Sequence, residues 1–310
     1  MIKNNVINGV QVSLQELIQL RLQLIKVKLA SQKRVMTPLA GGYSSFFRGR
    51  GMDFMENRHY QPGDDIRAID WRVTARTGKP HTKLFREERE RPVLFWIDYR
   101  SHMFFGTQVR FKSVAVAYAA AWLAWVATTY GDRVGGIIFS EKQIKELRPA
   151  SGQRGVLRFL KALVDNQPTQ DNGLQKGQLN KALAKLQQIV QPGSLVCLLS
   201  DFWGLNKDDE THIKRLVRHN DLLAVFIYDP FEKALPLSSE NYNVSNDQKT
   251  LTVNNTDIQL HQLYQERFEQ HSIHLETLFK QQGAHWLALA TNDKIPNFLQ
   301  YHLNSLWKHA

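Results

Sequence analysis

Three aspartates stand where chemistry is expected of them: Asp98, Asp201 and Asp229 each close an apolar run, in PVLFWID, SLVCLLSDF and LLAVFIYDP. In open α/β sheets the ligand crevice lies beyond the carboxyl ends of the strands, where strand order reverses. Asp98 and Asp201 meet there if their strands are neighbours. Two carboxylates in a crevice suit a hard cation such as Mg²⁺, bound through oxygen; an equal reading makes each aspartate the cap of the helix that follows. Asp98, Ser101 and His102 supply the letters of a hydrolase triad, but residues so close together diverge from a strand end and seldom converge on one substrate. Cys197 sits inside an apolar strand, where a thiol is an inert filler rather than a nucleophile. His271 and His274 share a polar helix face without a third ligand nearby in sequence, so they are expected to be a solvated pair. The chain carries no GxxxxGKS/T phosphate loop, no GxGxxG after a strand, no HExxH, no GxSxG and no CxxC. ATP hydrolysis by the chain itself is therefore not expected.

The elements that must position these residues fall into three regimes. The first opens with VSLQELIQLRLQLIKVKLA, where Ser13 and Glu16 form a capping-box signature for a helix from Leu14. Leu14, Leu17, Ile18, Leu22, Ile25 and Leu29 share one face at helical spacing, widened by Leu20, Leu24 and Val27. A glycine-rich stretch follows, then an alternating strand from His81 to Phe85. The second regime, Pro92 to Asp229, alternates apolar strands with helices, the form of a largely parallel sheet. Its helices are expected at Phe111–Tyr130, Gly155–Val164, Gln178–Val190 and Asp208–His219. DRVGGIIFS and IKELRPA are close enough to form an antiparallel hairpin. The third regime holds a polar hairpin near 242–254, a long helix from Asp257 to Gln282, a last core strand in AHWLALATND and a helix from Ile295 to Trp307.

The 310 residues carry 40 Lys and Arg against 29 Asp and Glu, a formal charge of +11, which excludes an acidic solvating protein. One cysteine cannot form an internal disulfide, and MIKNNVINGVQVS lacks the basic-then-apolar pattern of a secretory leader, so a cytoplasmic location is expected. Ser113 to Gly131 is uncharged and near the ~18-residue threshold for spanning a membrane. Its many alanines favour a buried helix, and no transmembrane segment is expected.

GYSSFFRGRGMDFMENRHYQPGDDIRAIDWRVTARTGKPHTKLF, followed by FWIDYRSHM, GDRVGGIIFS and LLSDF, resembles the bacterial family called domain of unknown function fifty-eight, the von Willebrand factor A-like, MoxR-associated proteins. YxPGDDxRxIDWxxxAR carries the resemblance, which extends through DPFEKALP to the last helix. It implies a von Willebrand factor A-like α/β fold, cytoplasmic residence and partnership with a MoxR-type AAA+ ATPase that supplies the ATP hydrolysis. Members usually carry DxSxSM, whose aspartate and serines form a metal-ion-dependent adhesion site with a distant Thr and Asp. Here the segment reads Asp98-Tyr99-Arg100-Ser101-His102-Met103, so Arg100 and His102 replace the serines. Ser101 is one residue out of register and its hydroxyl should turn away, while Asp201 matches the later aspartate. The resemblance thus implies a vestigial site of Asp98, Arg100, Ser101, His102 and Asp201. Arg100 stands in for the cation, no cofactor is required, and Mg²⁺ is held weakly at most.

The signature residues Tyr60, Pro62, Gly63, Asp64, Asp65, Arg67, Asp70, Trp71, Arg72 and Arg76 alternate in charge, and the segment is expected to pair its charges internally. Tyr60, Ile66, Ile69 and Trp71 would anchor it by burial, an architectural role rather than a recognition surface. Lys26, Lys28, Lys33, Arg34, Arg48 and Arg50 could attract nucleic acid or an anionic membrane, but FRGRG has one aromatic, too few for a stacking platform. The expected architecture is a segment 1–90, holding the first helix and the signature, and an α/β domain 91–310. The expected function is a non-catalytic interaction module serving a MoxR-type ATPase and an unknown client protein; the alternative is a basic protein that binds nucleic acid or a membrane surface.

Overall fold

The computed structural model describes residues 9–24, 52–61, 64, 66–87, 90–168, 178–235, 242–246, 249–253 and 258–306. Pro62, Gly63, Asp65, Ile25, Val27, Leu29 and the cationic residues Lys26, Lys28, Lys33, Arg34, Arg48 and Arg50 lie outside them. The chain forms two compact units, 1–34 with 91–310, and 35–90. The first helix therefore groups with the α/β unit and not, as the 1–90 segment supposed, with the signature.

That helix, α1 (Leu14–Gln19), starts on the expected capping box: Ser13 Oγ accepts from Glu16 N at 3.3 Å, and Glu16 Oε2 accepts from Ser13 N at 2.8 Å. After Gln19 the chain tightens into a 3-10 turn, Leu20–Gln23. On the packed side, Leu17 and Leu20 are buried and Leu14 packs beside them. Ile18 and Leu22, which α-helical spacing assigned to that side, are exposed instead.

The 35–90 unit holds strand β1 (Met52–His59), helix α2 (Trp71–Thr77) and strand β2 (His81–Glu87), which pairs antiparallel with β1. Asp70 caps α2, its Oδ1 accepting from Arg72 N at 3.0 Å and Val73 N at 3.2 Å. The helix stops at Gly78, whose φ of 68° suits only a residue without a Cβ. Asp64 Oδ1 accepts from Arg58 Nη2 at 2.7 Å, its Oδ2 accepts from Gln61 N at 3.0 Å, and Asp70 lies 3.5 Å from Lys83. Among the described residues, Asp64 and Asp70 of the signature thus take Arg58 and Lys83, cations of the two strands, as ion partners. Burial of the anchors is corrected: Trp71 is 66% and Ile66 63% exposed, and Tyr60 and Ile69 are half-buried. Alternating charge does not require a closed network around a buried Trp: capping and strand pairing satisfy Asp64 and Asp70 without covering that ring.

In the α/β unit the order is β3 (Pro92–Asp98), α3 (Lys112–Thr129), β4 (Arg133–Phe139), β5 (Ile144–Ala150), α4 (Gly152–Asp165), α5 (Gln178–Ile189), β6 (Leu195–Ser200), α6 (Lys207–His219), β7 (Asp221–Tyr228), the short α7 (Pro230–Lys233), the hairpin β8 (Tyr242–Asn246) and β9 (Lys249–Val253), α8 (Ile258–Gln281), β10 (His285–Ala290) and α9 (Ile295–Leu306). Six strands form one sheet in the order β10-β7-β6-β3-β4-β5, all parallel except the β5 edge. This is the mostly parallel α/β sheet flanked by helices that the sequence leads one to expect, and the β4–β5 hairpin is its antiparallel margin.

Each central strand is apolar throughout because both faces are covered. Val93, Phe95 and Ile97 of β3, with Leu195, Cys197 and Leu199 of β6, join the core under α1, α3, α4 and α9. Leu94, Trp96, Val196 and Leu198 join the opposite core under α5, α6 and α8. Gly136 of β4 leaves room for the neighbouring strand, since a Cβ there would fall 2.0 Å from Phe95 O. Helix α3 is buried on every side from Lys112 to Ala127, and Trp125 Nε1 donates to Leu17 O at 2.9 Å, fastening α1 to it. Among the described residues no helix is long and apolar enough to cross a membrane.

Candidate functional site at the carboxyl edge of the sheet

Strand order reverses at β3, which has β4 on one side and β6 on the other. The ends of β3 and β6 therefore place Asp98 and Asp201 side by side, in the crevice the sequence pointed to. Both are buried, and each is met by a cation of the same chain.

Asp98 is fully enclosed. Its Oδ1 accepts from Arg100 N at 3.0 Å and Arg100 Nε at 2.9 Å, and its Oδ2 from Arg100 Nη2 and Ser200 Oγ, both at 2.6 Å. The two-residue spacing lets the guanidinium fold back on the carboxylate as a bidentate fork. Its third nitrogen, Nη1, donates to Trp203 O at 3.1 Å, and its carbon lies 5.7 Å from the centre of the Phe139 ring. Burial works against the Asp98 charge, but Arg100 and then His102 hold the carboxyl well below the usual range.

Asp201 has different partners. Its Oδ2 accepts from Lys112 Nζ at 2.8 Å, and its Oδ1 accepts from Trp203 N at 3.0 Å. Lys112 is almost fully buried at the start of α3 and donates also to Glu232 Oε1 at 2.7 Å. Burial disfavours the ammonium, yet Asp201 and Glu232 keep it charged beyond the ordinary lysine range. His102 Nε2 lies 3.1 Å from Asp201 Oδ1 and 3.8 Å from Asp98 Oδ2. Desolvation lowers its pKa, but the two aspartates more than offset it and raise it to about 9. At neutral pH His102 is an imidazolium, a cation and not a base.

Ser101 is turned out of the crevice, as its register predicted: its N and Oγ donate to Glu141 Oε1 at 2.6 and 2.8 Å. The hydroxyl that reaches Asp98 comes instead from Ser200 on the neighbouring strand. Ser200 Oγ also accepts from Phe202 N at 2.8 Å, and Phe202 holds a left-handed backbone, φ 53°, although it has a side chain. Such strain persists only where the surroundings over-determine it. Here Ser200, Asp201 and Arg100 fix the turn, and it presents Trp203, 62% exposed, beside His271, 5.6 Å between ring centres.

Asp229 is the aspartate that serves as a cap. It receives Phe231 N at 3.0 Å at the start of α7, Thr107 Oγ1 at 2.5 Å and Thr291 Oγ1 at 2.6 Å, which join three loops at this edge. Burial opposes its charge, and the Thr107 and Thr291 hydroxyls outweigh that and lower its pKa. Glu232, which closes the α7 capping box, connects this clasp to Lys112.

The arrangement is poor in catalytic means. Ser101 is bonded to a carboxylate and His102 is protonated, so they do not form the nucleophile and base of a triad. Cys197 is buried and its thiol is pushed up to about 12 by desolvation. His271 and His274 lie along a groove with Phe202, Trp203 and Leu275 rather than converging with a further ligand. Asp98, His102 and Asp201 do bring ligand atoms within 4.8 Å of one another, close enough for a metal ion. The donor set nevertheless does not fit a divalent cation: a fork occupies both oxygens of Asp98, an ammonium holds Asp201, and His102 would first have to lose a proton. Arg100 was expected to neutralise both aspartates. It engages Asp98, and the ion partners of Asp201 are Lys112 and His102. Lys112 had a signal in the sequence, a lone charge entering a wholly apolar helix, which must find a carboxylate if it is buried.

The model of the family described as "Protein of unknown function DUF58" matches residues 56–274. The chain belongs to this family. Among curated relatives, "Uncharacterized protein Mb1516" of Mycobacterium bovis (strain ATCC BAA-935 / AF2122/97) and "Uncharacterized protein Rv1480" of Mycobacterium tuberculosis (strain ATCC 25618 / H37Rv) are each 26% identical over 211 residues, 68% of this chain and 65% of the relative. The chain thus spans just under two thirds of the length of these relatives. Of solved structures, BatB from Bacteroides thetaiotaomicron is 11% identical over 70% of this chain and 99% of its own, with a TM-score of 0.47. An aerotolerance-related membrane protein from Bacteroides fragilis NCTC 9343 is 11% identical over 71% of this chain and 100% of its own, with a TM-score of 0.43.

Proposed function

We propose that this DUF58 protein is a non-catalytic, cytoplasmic interaction module that works with a MoxR-type AAA+ ATPase in the assembly or maturation of protein complexes. The observation that carries the reading is the closure of the crevice by its own cations. Arg100, Lys112 and His102 consume the carboxylates that a metal or a reacting group would need, and the same network fixes Trp203 in an exposed position at the rim. A site that spends its polar groups on holding an exposed aromatic is suited to contact rather than to turnover. The chain also lacks a phosphate loop, so a partner must supply any ATP hydrolysis.

The test mixes the purified chain with the MoxR-type ATPase of the same organism. The chain alone is expected to release no phosphate from ATP, and to associate with the ATPase when nucleotide is present. Turnover by the chain alone, or no association with nucleotide, would contradict the proposal.

A further inference from the structure

Lys112 and Arg110 are the two cations, among the described residues, that are nine-tenths or more buried. Lys112 has two carboxylates, Asp201 and Glu232, as a buried charge requires. Arg110 has none. Among the described residues no ion pair reaches its guanidinium, and its hydrogen-bond acceptor is a neutral carbonyl, Asp293 O, 2.7 Å from Nη1. Its Nε is buried without a partner. The Tyr118 ring, 5.8 Å from Cζ, and the carboxylate of Asp293 act on the charge from a distance, but that carboxylate is engaged by Ala290 N at 2.8 Å. Burial outweighs both and pulls the pKa of Arg110 below the ordinary arginine range.

The α/β unit supplies a carboxylate to each of its other enclosed cations, Arg91, Arg100 and Lys112, so the exception at Arg110 calls for a counter-charge from outside the chain. Arg110 lies under the junction of the β3–α3 loop and the β10–α9 loop, which are tied at the surface by an exposed pair, Asn292 Nδ2 donating to Gln108 Oε1 at 3.1 Å. We propose that Arg110 anchors a carboxylate-binding site between these two loops, the ligand oxygens taking the unpartnered Nε edge of the guanidinium as a fork. Because Nε is shielded, entry requires the loops to part, and the exposed amide pair that joins them is a neutral bond that water readily replaces. A carboxylate fits better than a phosphate: one guanidinium neutralises a monoanion, whereas a dianion would leave surplus negative charge beside Asp293. The carboxylate belongs to an acidic side chain of a protein partner or to a small organic acid, and the chemistry at Arg110 is the same for both.

The full chain is titrated with acetate at constant ionic strength, made up with chloride, and the Arg110 Nε–H resonance is followed by NMR. A saturable shift is expected, with inorganic phosphate binding about tenfold or more weakly, the difference of one charge-assisted contact. Acetate should also raise the melting temperature of the native chain, and that of Arg110→Lys far less, since lysine keeps the charge but not the planar fork. Circular dichroism checks the fold of the variant, and the native titration decides by itself if the variant does not fold. A second arm replaces acetate with the α-amide of N-acetylglutamic acid: tighter binding than acetate assigns the site to an acidic side chain of a protein partner, and equal or weaker binding assigns it to a small acid. No shift, a shift that grows without saturating, equal binding of phosphate, or equal stabilisation of the native chain and a folded variant would overturn the carboxylate site. Each of those results leaves the association with the ATPase, and the functional reading, standing.

Discussion

Asp98→Ala is expected to destabilise the protein by about 3–5 kcal/mol, the cost of removing one partner from a buried ion pair. The alanine leaves the Arg100 guanidinium with two nitrogens unbonded and the Ser200 hydroxyl without its acceptor, where the carboxylate had been fully enclosed. It also frees the turn that Ser200 and Arg100 hold in a left-handed conformation. Ser200→Ala removes the hydroxyl bond to the Asp98 carboxylate and leaves Phe202 N without its acceptor, and should cost about 1.5–3 kcal/mol, less than loss of the aspartate. Combining Asp98→Ala with Arg100→Met should recover part of the loss, because the second change removes the stranded charge. Denaturant midpoints at constant m-value measure all three. A loss below about 1 kcal/mol for Asp98→Ala would mean that the fork is not buried as described.

Lys112→Met is expected to cost about 3 kcal/mol or more by the same physics. Methionine keeps the length and most of the volume of the lysine stem, so the loss reports charge rather than a cavity. The variant leaves Asp201 with His102 as its remaining cation and the Trp203 N–H as its remaining donor, and leaves Glu232 bonded to the α7 cap alone. Glu232 is 30% exposed in its side chain, so Glu232→Gln should fall nearer the range of surface pairs, under about 1 kcal/mol. An equal loss in the two variants would show that the pair with Asp201 is not the dominant one.

Much of this site is legible in the sequence. Unbroken apolar runs ending on aspartate identified β3, β6 and β7, because a strand covered on both faces has no polar position until it leaves the sheet. The register of Ser101 was legible for a related reason: with the aspartate fixed, one residue of offset decides which way a side chain leaves the loop. Pairing was harder to see. Lys112 and Asp201 are 89 residues apart, and only the parallel order of β3 and β6 and the return of α3 to the sheet bring them together. Trp71 was misplaced for a different reason, since a sequence of alternating charge does not say whether the acids meet the interleaved arginines or the strands on either side. On the first helix the α-helical spacing stops applying at Leu20, where the chain tightens into a 3-10 turn and Leu22 is exposed; Ile18 is exposed within the α-helical turn itself.

Calorimetric titration with Mg²⁺ and with Mn²⁺ measures most directly whether the crevice is closed by its own cations. The native chain is expected to release no binding heat, and the double variant Arg100→Ser, His102→Ser to bind one ion through Asp98 and Asp201 with the restored hydroxyls. Tight one-to-one binding by the native chain, abolished by Asp98→Ala, would show that a metal and not a guanidinium completes the site.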